Sequence, residues 1–97
     1  MKTVDEIKKI INDQMPILKE RYGVTKIGIF GSFIRSESRK DSDLDLLVEF
    51  DKSIDLLMFI NLENYLSDIT EIKVELSMKD VLKRRIGEHI LKEVVYL

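Results

Sequence analysis

The stretch IFGSFIRSESRKDSDLDLLVEF, residues 29–50, decides how the chain is read. Its first residues end the run VTKIGIF (24–30), short, β-branched and bounded by glycines, which predicts a strand. Gly31-Ser32 closes that strand. FIRSES (33–38) reads as one or two helical turns and RKDS (39–42) as a loop. DLDLLVEF (43–50) then alternates, with Leu44, Leu46, Val48 and Phe50 on one side and Asp43, Asp45, Leu47 and Glu49 on the other. Acidic side chains at alternate positions of a half-buried strand are costly unless something cationic meets them.

Working outward, residues 4–23 (VDEIKKIINDQMPILKERYG) return Val4, Ile7, Ile10, Ile11, Leu18 and Tyr22 to one face, the pattern of an amphipathic helix. Gly23 stops it, and Pro16 should kink it or divide it in two. SIDLLMFINLENYLSDI (53–69) predicts a helix with Ser53 as N-cap. EIKVELS (71–77) predicts a third strand, with Ile72, Val74 and Leu76 toward the core and Glu75 on the other face. KDVLKRRIGEHILKEVVYL (79–97) predicts a closing helix with Leu82, Ile86 and Ile90 in line. The expected architecture is α+β: a single domain over residues 1–97 with helices packed on a three- or four-stranded sheet.

The composition narrows the function. Lys and Arg number 16 against 18 Asp and Glu, so the basic excess of a general nucleic-acid binder is missing and nucleic acid is not expected as a direct ligand. With no cysteine, disulfides, zinc-thiolate sites and thiol nucleophiles are excluded. No run approaches the roughly 20 apolar residues that span a bilayer. The charged start MKTVDEIKKIINDQ has no apolar core of a signal peptide, so a cytoplasmic protein without membrane contact is expected.

Three features converge on one chemistry. A glycine in a strand-to-helix turn lets backbone approach a ligand closely, and the Ser32 hydroxyl adds a donor for phosphate. Asp43 and Asp45 stand on one strand face with Cα atoms about 7 Å apart, so their carboxylates can converge on one hard cation or on two. Glu75 reaches the same spot if the third strand lies beside the second. Three carboxylates around Mg²⁺ beside a phosphate cradle suit in-line attack at phosphorus. Arg35, Arg39 and Lys40 either neutralise triphosphate charge or are solvated loop residues. Each part also has a plainer reading: Gly-Ser as an ordinary turn, a lone Asp or Glu75 as a solvated strand residue. It is the combination at this spacing that favours a site. His89 and the KRR run at 83–85 read as helix surface, and Met58, Phe59, Leu62 and Tyr65 as packing residues. No P-loop or dinucleotide-binding glycine fingerprint is present.

GSFIRSESRKDSDLD (31–45) fits the pattern Gly-Ser, ten residues, Asp-x-Asp, and with it the chain resembles the DNA polymerase β-like nucleotidyltransferase superfamily, most closely its minimal nucleotidyltransferases of the antitoxin type. The likeness runs nearly end to end, including RYG at 21–23, DSDLDLLVEF and the final ILKEVVYL. It implies a polymerase β palm-like fold with a mixed sheet. It implies Mg²⁺, as two ions, with ATP as substrate and transfer of AMP to a hydroxyl of a partner protein. That partner would be a HEPN-type ribonuclease toxin encoded nearby, neutralised in a hetero-oligomer. Carried over, Gly31 and Ser32 hold the β- and γ-phosphates, Arg35 joins them in nucleotide binding, and Asp43 and Asp45 bind metal. The family's third carboxylate is usually Asp in a block like KVDL; here KVEL puts Glu75 there, one methylene longer. The alternatives are an antitoxin that acts by binding alone and a small-molecule enzyme of the aminoglycoside-modifying kind.

Overall fold

The computed structural model describes residues 2–97. The first predicted helix is two: α1 (Val4–Asp13) and α2 (Met15–Tyr22), with Pro16 in the first turn of α2, where its missing N–H costs nothing. Thr3 caps α1 in a reciprocal pair: its hydroxyl accepts from the Glu6 amide at 3.2 Å, and its own amide donates to Glu6 Oε1 at 3.0 Å. The Thr3 amide's bond to the ionised carboxylate is the main reason Glu6 lies below the usual carboxylate pKa.

Strands β1 (Val24–Phe30) and β2 (Leu44–Phe50) form an antiparallel pair, followed by α3 (Leu56–Thr70), β3 (Val74–Met78), α4 (Lys79–Ile86) and the short β4 (Val95–Tyr96). The sheet order is β3-β2-β1-β4, with β2–β3 parallel and the other pairs antiparallel. The sheet is therefore mixed and four-stranded.

Alternation along the strands assigns the faces. On one, Ile27, Ile29, Leu44, Leu46, Val48, Val74 and Leu76 meet Ile7, Ile11, Leu18, Leu62 and Leu66 of the helices in the main core. On the other, Phe30 and Leu47 meet Leu82 and Ile90 in a smaller cluster. Leu47, expected to share its face with Asp45, is fully buried because α4 and the segment after it cover that part of the sheet. Asp45, also on this face, stands beside the smaller cluster.

β3 is an edge strand, and side chains of α3 occupy its backbone donors. The Val74 amide donates to Ser67 Oγ at 3.0 Å and the Leu76 amide to Glu63 Oε2 at 2.9 Å. An edge so occupied is protected from pairing with another strand.

Four expectations need correction. The N-cap of α3 is Asp55, whose carboxylate accepts from the Met58 amide at 2.8 Å, rather than Ser53; its negative charge also suits a helix N-terminus better than a hydroxyl. The closing helix stops at Ile86, because Gly87 adopts φ 110°, ψ 166°, open essentially only to glycine. A 3₁₀ segment (Glu88–Lys92) and β4 follow, so Ile86 is exposed while Leu82 and Ile90 are buried. FIRSES is a single 3₁₀ turn, Gly31–Phe33, continued by irregular turns. Glu71, expected in the third strand, is the left-handed C-cap of α3, so that strand begins at Val74.

The Glu63 bond to the edge strand has a measurable weight. Glu63→Ala should lower the unfolding free energy by about 1.5–3 kcal/mol, the range for a hydrogen bond to a charged group. Asn64→Ala, on the exposed side of the same helix, should stay within about 0.5 kcal/mol. Urea denaturation of both variants measures the difference.

Candidate functional site

The site is assembled by strand register. Asp45 pairs with Phe30 of β1 on one side and with Glu75 of β3 on the other. The two carboxylates are therefore side by side on adjacent parallel strands, the arrangement the sequence could only make conditional. Asp43 immediately precedes β2 and is partly buried. The loop before it is pinned by the Arg39 amide donating to Ser42 Oγ at 2.7 Å and the Ser42 amide donating back to the Arg39 carbonyl at 3.0 Å.

Gly31 stands at the end of β1 with φ 78°, and a Cβ there would overlap the Asp45 carboxylate. Any other residue would be strained twice, by its backbone angle and by that collision. The Gly31 carbonyl accepts from the Ile34 and Arg35 amides at 3.0 and 3.1 Å, which curls the chain so that partly buried Ser32 lies in the turn and Arg35 leaves it.

Gly31, Arg35, Asp45 and Glu75 line one cleft of about 230 Å³, together with Ser77 and Arg85. Ordinary ligand pockets run from about 300 to 1,000 Å³, so this cleft suits a small group or one part of a larger ligand. A larger depression of about 480 Å³ at the far end of β2 and β3 is lined by Lys52, Ser53, Lys79 and Arg84 among others and has no part of the Gly-Ser turn. Arg39 and Lys40 are exposed on the loop and do not line the cleft.

The electrostatics favour a cation. The Asp45 carboxyl is pushed up to about 6, first by burial and then by the negative charges of Glu75 and Asp43. Among the described residues no three His, Cys, Asp or Glu side chains already form a metal cage. The donor set is nonetheless all oxygen and suits a hard divalent ion, and the mutual repulsion at Asp45 is what such an ion would relieve.

Two contributors had no signal in the sequence. Glu93, from the segment before β4, accepts at Oε1 from the Gly31 amide and from Arg35 Nη1, both at 3.0 Å. Glu37 accepts from Arg35 Nε at 2.9 Å. The Glu37 hydrogen bond is the main reason the guanidinium holds its proton above its ordinary value. Glu93 lies 62 residues from Gly31 in sequence, and no local pattern reports a contact at that separation.

The sequence model of the family described as Polymerase beta, Nucleotidyltransferase matches residues 6–97. The chain belongs to this family. It is 45% identical over 97 residues to a protein adenylyltransferase, MntA, of Thermococcus cleftensis, covering all of this chain and 98% of that one. A solved structure of a candidate minimal nucleotidyltransferase superposes with a TM-score of 0.73 at 31% identity, over 94% of this chain and 95% of that one. A solved complex of a tri-AMPylated Shewanella oneidensis HEPN toxin with an MNT antitoxin contains a chain that superposes with a TM-score of 0.65 at 15% identity, over 93% of this chain and 70% of the chain compared, and shows the shared fold. The protein is thus a minimal nucleotidyltransferase with the α+β fold of the polymerase β group. Among the described residues no helix is long and apolar enough to cross a membrane.

The raised Asp45 pKa has a definite sign. Its folded value, about 6, lies above the ordinary 3.8, so the folded state binds the proton more tightly. The metal-free protein should therefore gain stability from this group as pH falls from about 7 toward 4. Asp45→Asn should raise the melting temperature at pH 7.5 and flatten its pH dependence in that window. Thermal melts in EDTA check this; identical pH profiles for parent and variant would count against the crowded carboxylates.

Proposed function

We propose that this minimal nucleotidyltransferase moves AMP from ATP to a hydroxyl of a partner protein, and that the partner is a HEPN-type ribonuclease toxin which it neutralises as an antitoxin. The observation that carries the reading is the register pairing of Asp45 with Glu75 beside the Gly31 turn. It puts carboxylates and a phosphate-sized cleft together in a chain of nucleotidyltransferase family. The relative from Thermococcus cleftensis supports the adenylyl reaction, and the Shewanella complex supports the kind of acceptor.

Asp43, Asp45 and Glu75 would hold Mg²⁺, as one ion or two, which when bound supplies charge neutralisation and polarisation at the α-phosphate. The chain's own groups do the rest. Gly31 and Ser32 receive the β- and γ-phosphates at the turn, and Arg35 adds a fixed positive charge beside them. The acceptor oxygen bonds to the α-phosphorus as the bond to the bridging oxygen breaks. Pyrophosphate leaves, and the hydroxyl proton passes to Glu75. A cleft of about 230 Å³ leaves little room to enclose an acceptor beside a triphosphate, which favours an acceptor that brings the other wall of the site over aminoglycoside-type small molecules.

Incubation with Mg-ATP and the toxin encoded beside it, followed by intact mass measurement, tests the reading. The expected result is a gain of one or more AMP on the toxin; tight binding with no mass gain would leave an antitoxin that acts by contact alone. Replacing Asp43 and Asp45 together by Asn should abolish Mg-dependent ATP binding in calorimetry while the fold persists.

Glu75 can be separated from binding. Glu75→Gln keeps the size but loses charge and basicity, and should slow single-turnover transfer by about 10²-fold or more with a much smaller loss of ATP affinity. Glu75→Asp restores the residue usual in this family and should keep or raise the rate. A Gln variant as fast as the parent would make Glu75 an ordinary surface residue.

A further inference from the structure

Arg35 leaves the Gly31–Phe33 turn on an exposed stretch of chain, where an arginine would sample many rotamers. Here it is held from two sides. Glu37 takes Nε at 2.9 Å and Glu93 takes Nη1 at 3.0 Å. The two acceptors are not equivalent. Glu37 is two residues away on the same loop and moves with it, whereas Glu93 is anchored by the folded core. Its neighbours Leu91 and Val94 pack on the Phe30–Leu47–Leu82–Ile90 cluster, and its amide donates to the Ile90 carbonyl at 3.2 Å. The same Glu93 oxygen that meets Arg35 also accepts the Gly31 amide. One carboxylate oxygen thus sets the distance between the turn and the guanidinium.

We infer that Glu93 is a positioning residue for the nucleotide's phosphates: it fixes Arg35 against the Gly31 turn so that the cation is already in place when an anion enters the cleft. This rests on the reading of that cleft as the triphosphate site. The guanidinium has five N–H donors, and Nη2 makes no hydrogen bond among the described residues, so holding Nε and Nη1 leaves donors for a phosphate oxygen. Because Glu93 orders the side chain during folding, that entropy is not lost again on binding.

A mutant cycle with Arg35 tests the assignment, read as Mg-ATP affinity by calorimetry beside the melting temperature of each variant. Glu93→Ala should weaken Mg-ATP by about tenfold, the scale of one lost charge-assisted hydrogen bond. Glu93→Gln keeps an acceptor oxygen at the same reach and should recover most of that loss. Glu93→Asp keeps the charge but is too short to reach both partners, so it should resemble Ala, and it carries the test if the Ala variant does not fold. In an Arg35→Ala background, removing Glu93 should change affinity no further. Equal affinity in the parent, Ala and Asp variants overturns the inference, as does the same penalty with Arg35 absent. Tighter binding without Glu93 also overturns it and would mark this carboxylate as a competitor of phosphate. A folded parent that binds no Mg-ATP would overturn the triphosphate site itself and this inference with it; the other adverse outcomes fall on Glu93 alone.

Discussion

Asp45 carries a carboxylate into a narrow space. Glu75 is its register partner on β3, Phe30 its partner on β1, and the Gly31 backbone presses against it from the turn. Partial burial and like charge both oppose ionisation there, and the carboxyl sits near 6 as a result. A fold selected only for stability would place an apolar residue at such a position. The glycine turn, the acidic pair and the neighbouring arginine fit the proposed arrival of a cation and an anion as a pair.

That crowding depends on parallel pairing of β2 and β3. In a parallel pair, residues facing the same way stand in one row across the strands, so one acidic position on each is enough to align two carboxylates. α3 makes the crossover between the strands and supplies Ser67 and Glu63 to the outer edge of β3. The helix therefore serves both core and site: Leu62 and Leu66 bury one of its faces, and its polar residues hold in register the strand that carries Glu75.

The second face of the sheet is where packing and chemistry meet. Phe30, Leu47, Leu82 and Ile90 cover part of it, and the cleft opens beside them. The break at Gly87 is what allows the last segment to turn back over this face and run into β4. A continuous helix would have carried Glu93 elsewhere. The conformational freedom of one glycine thus decides which acidic residue reaches the Gly-Ser turn.

The sequence by itself determined the class of the fold and marked the two halves of the candidate site. Gly31-Ser32 after a β-branched run, and Asp43 and Asp45 opening an alternating run, are local signals, because a strand's period of two and a glycine turn are properties of neighbouring residues. Pro16 dividing the first helix was legible for the same reason. What only the tertiary structure decided lies between residues distant along the chain. Glu75 comes beside Asp45 because β3 pairs in parallel with β2. Asp55 rather than Ser53 starts α3, because it is the Asp55 carboxylate that meets the Met58 amide where the helix begins. Ile86 is exposed although it continues the helical period, because that period ends at Gly87. Glu93 meets Gly31 and Arg35 across most of the chain's length, and register, crossover and a chain reversal are set by packing energies summed over the whole fold, which no short window of sequence contains.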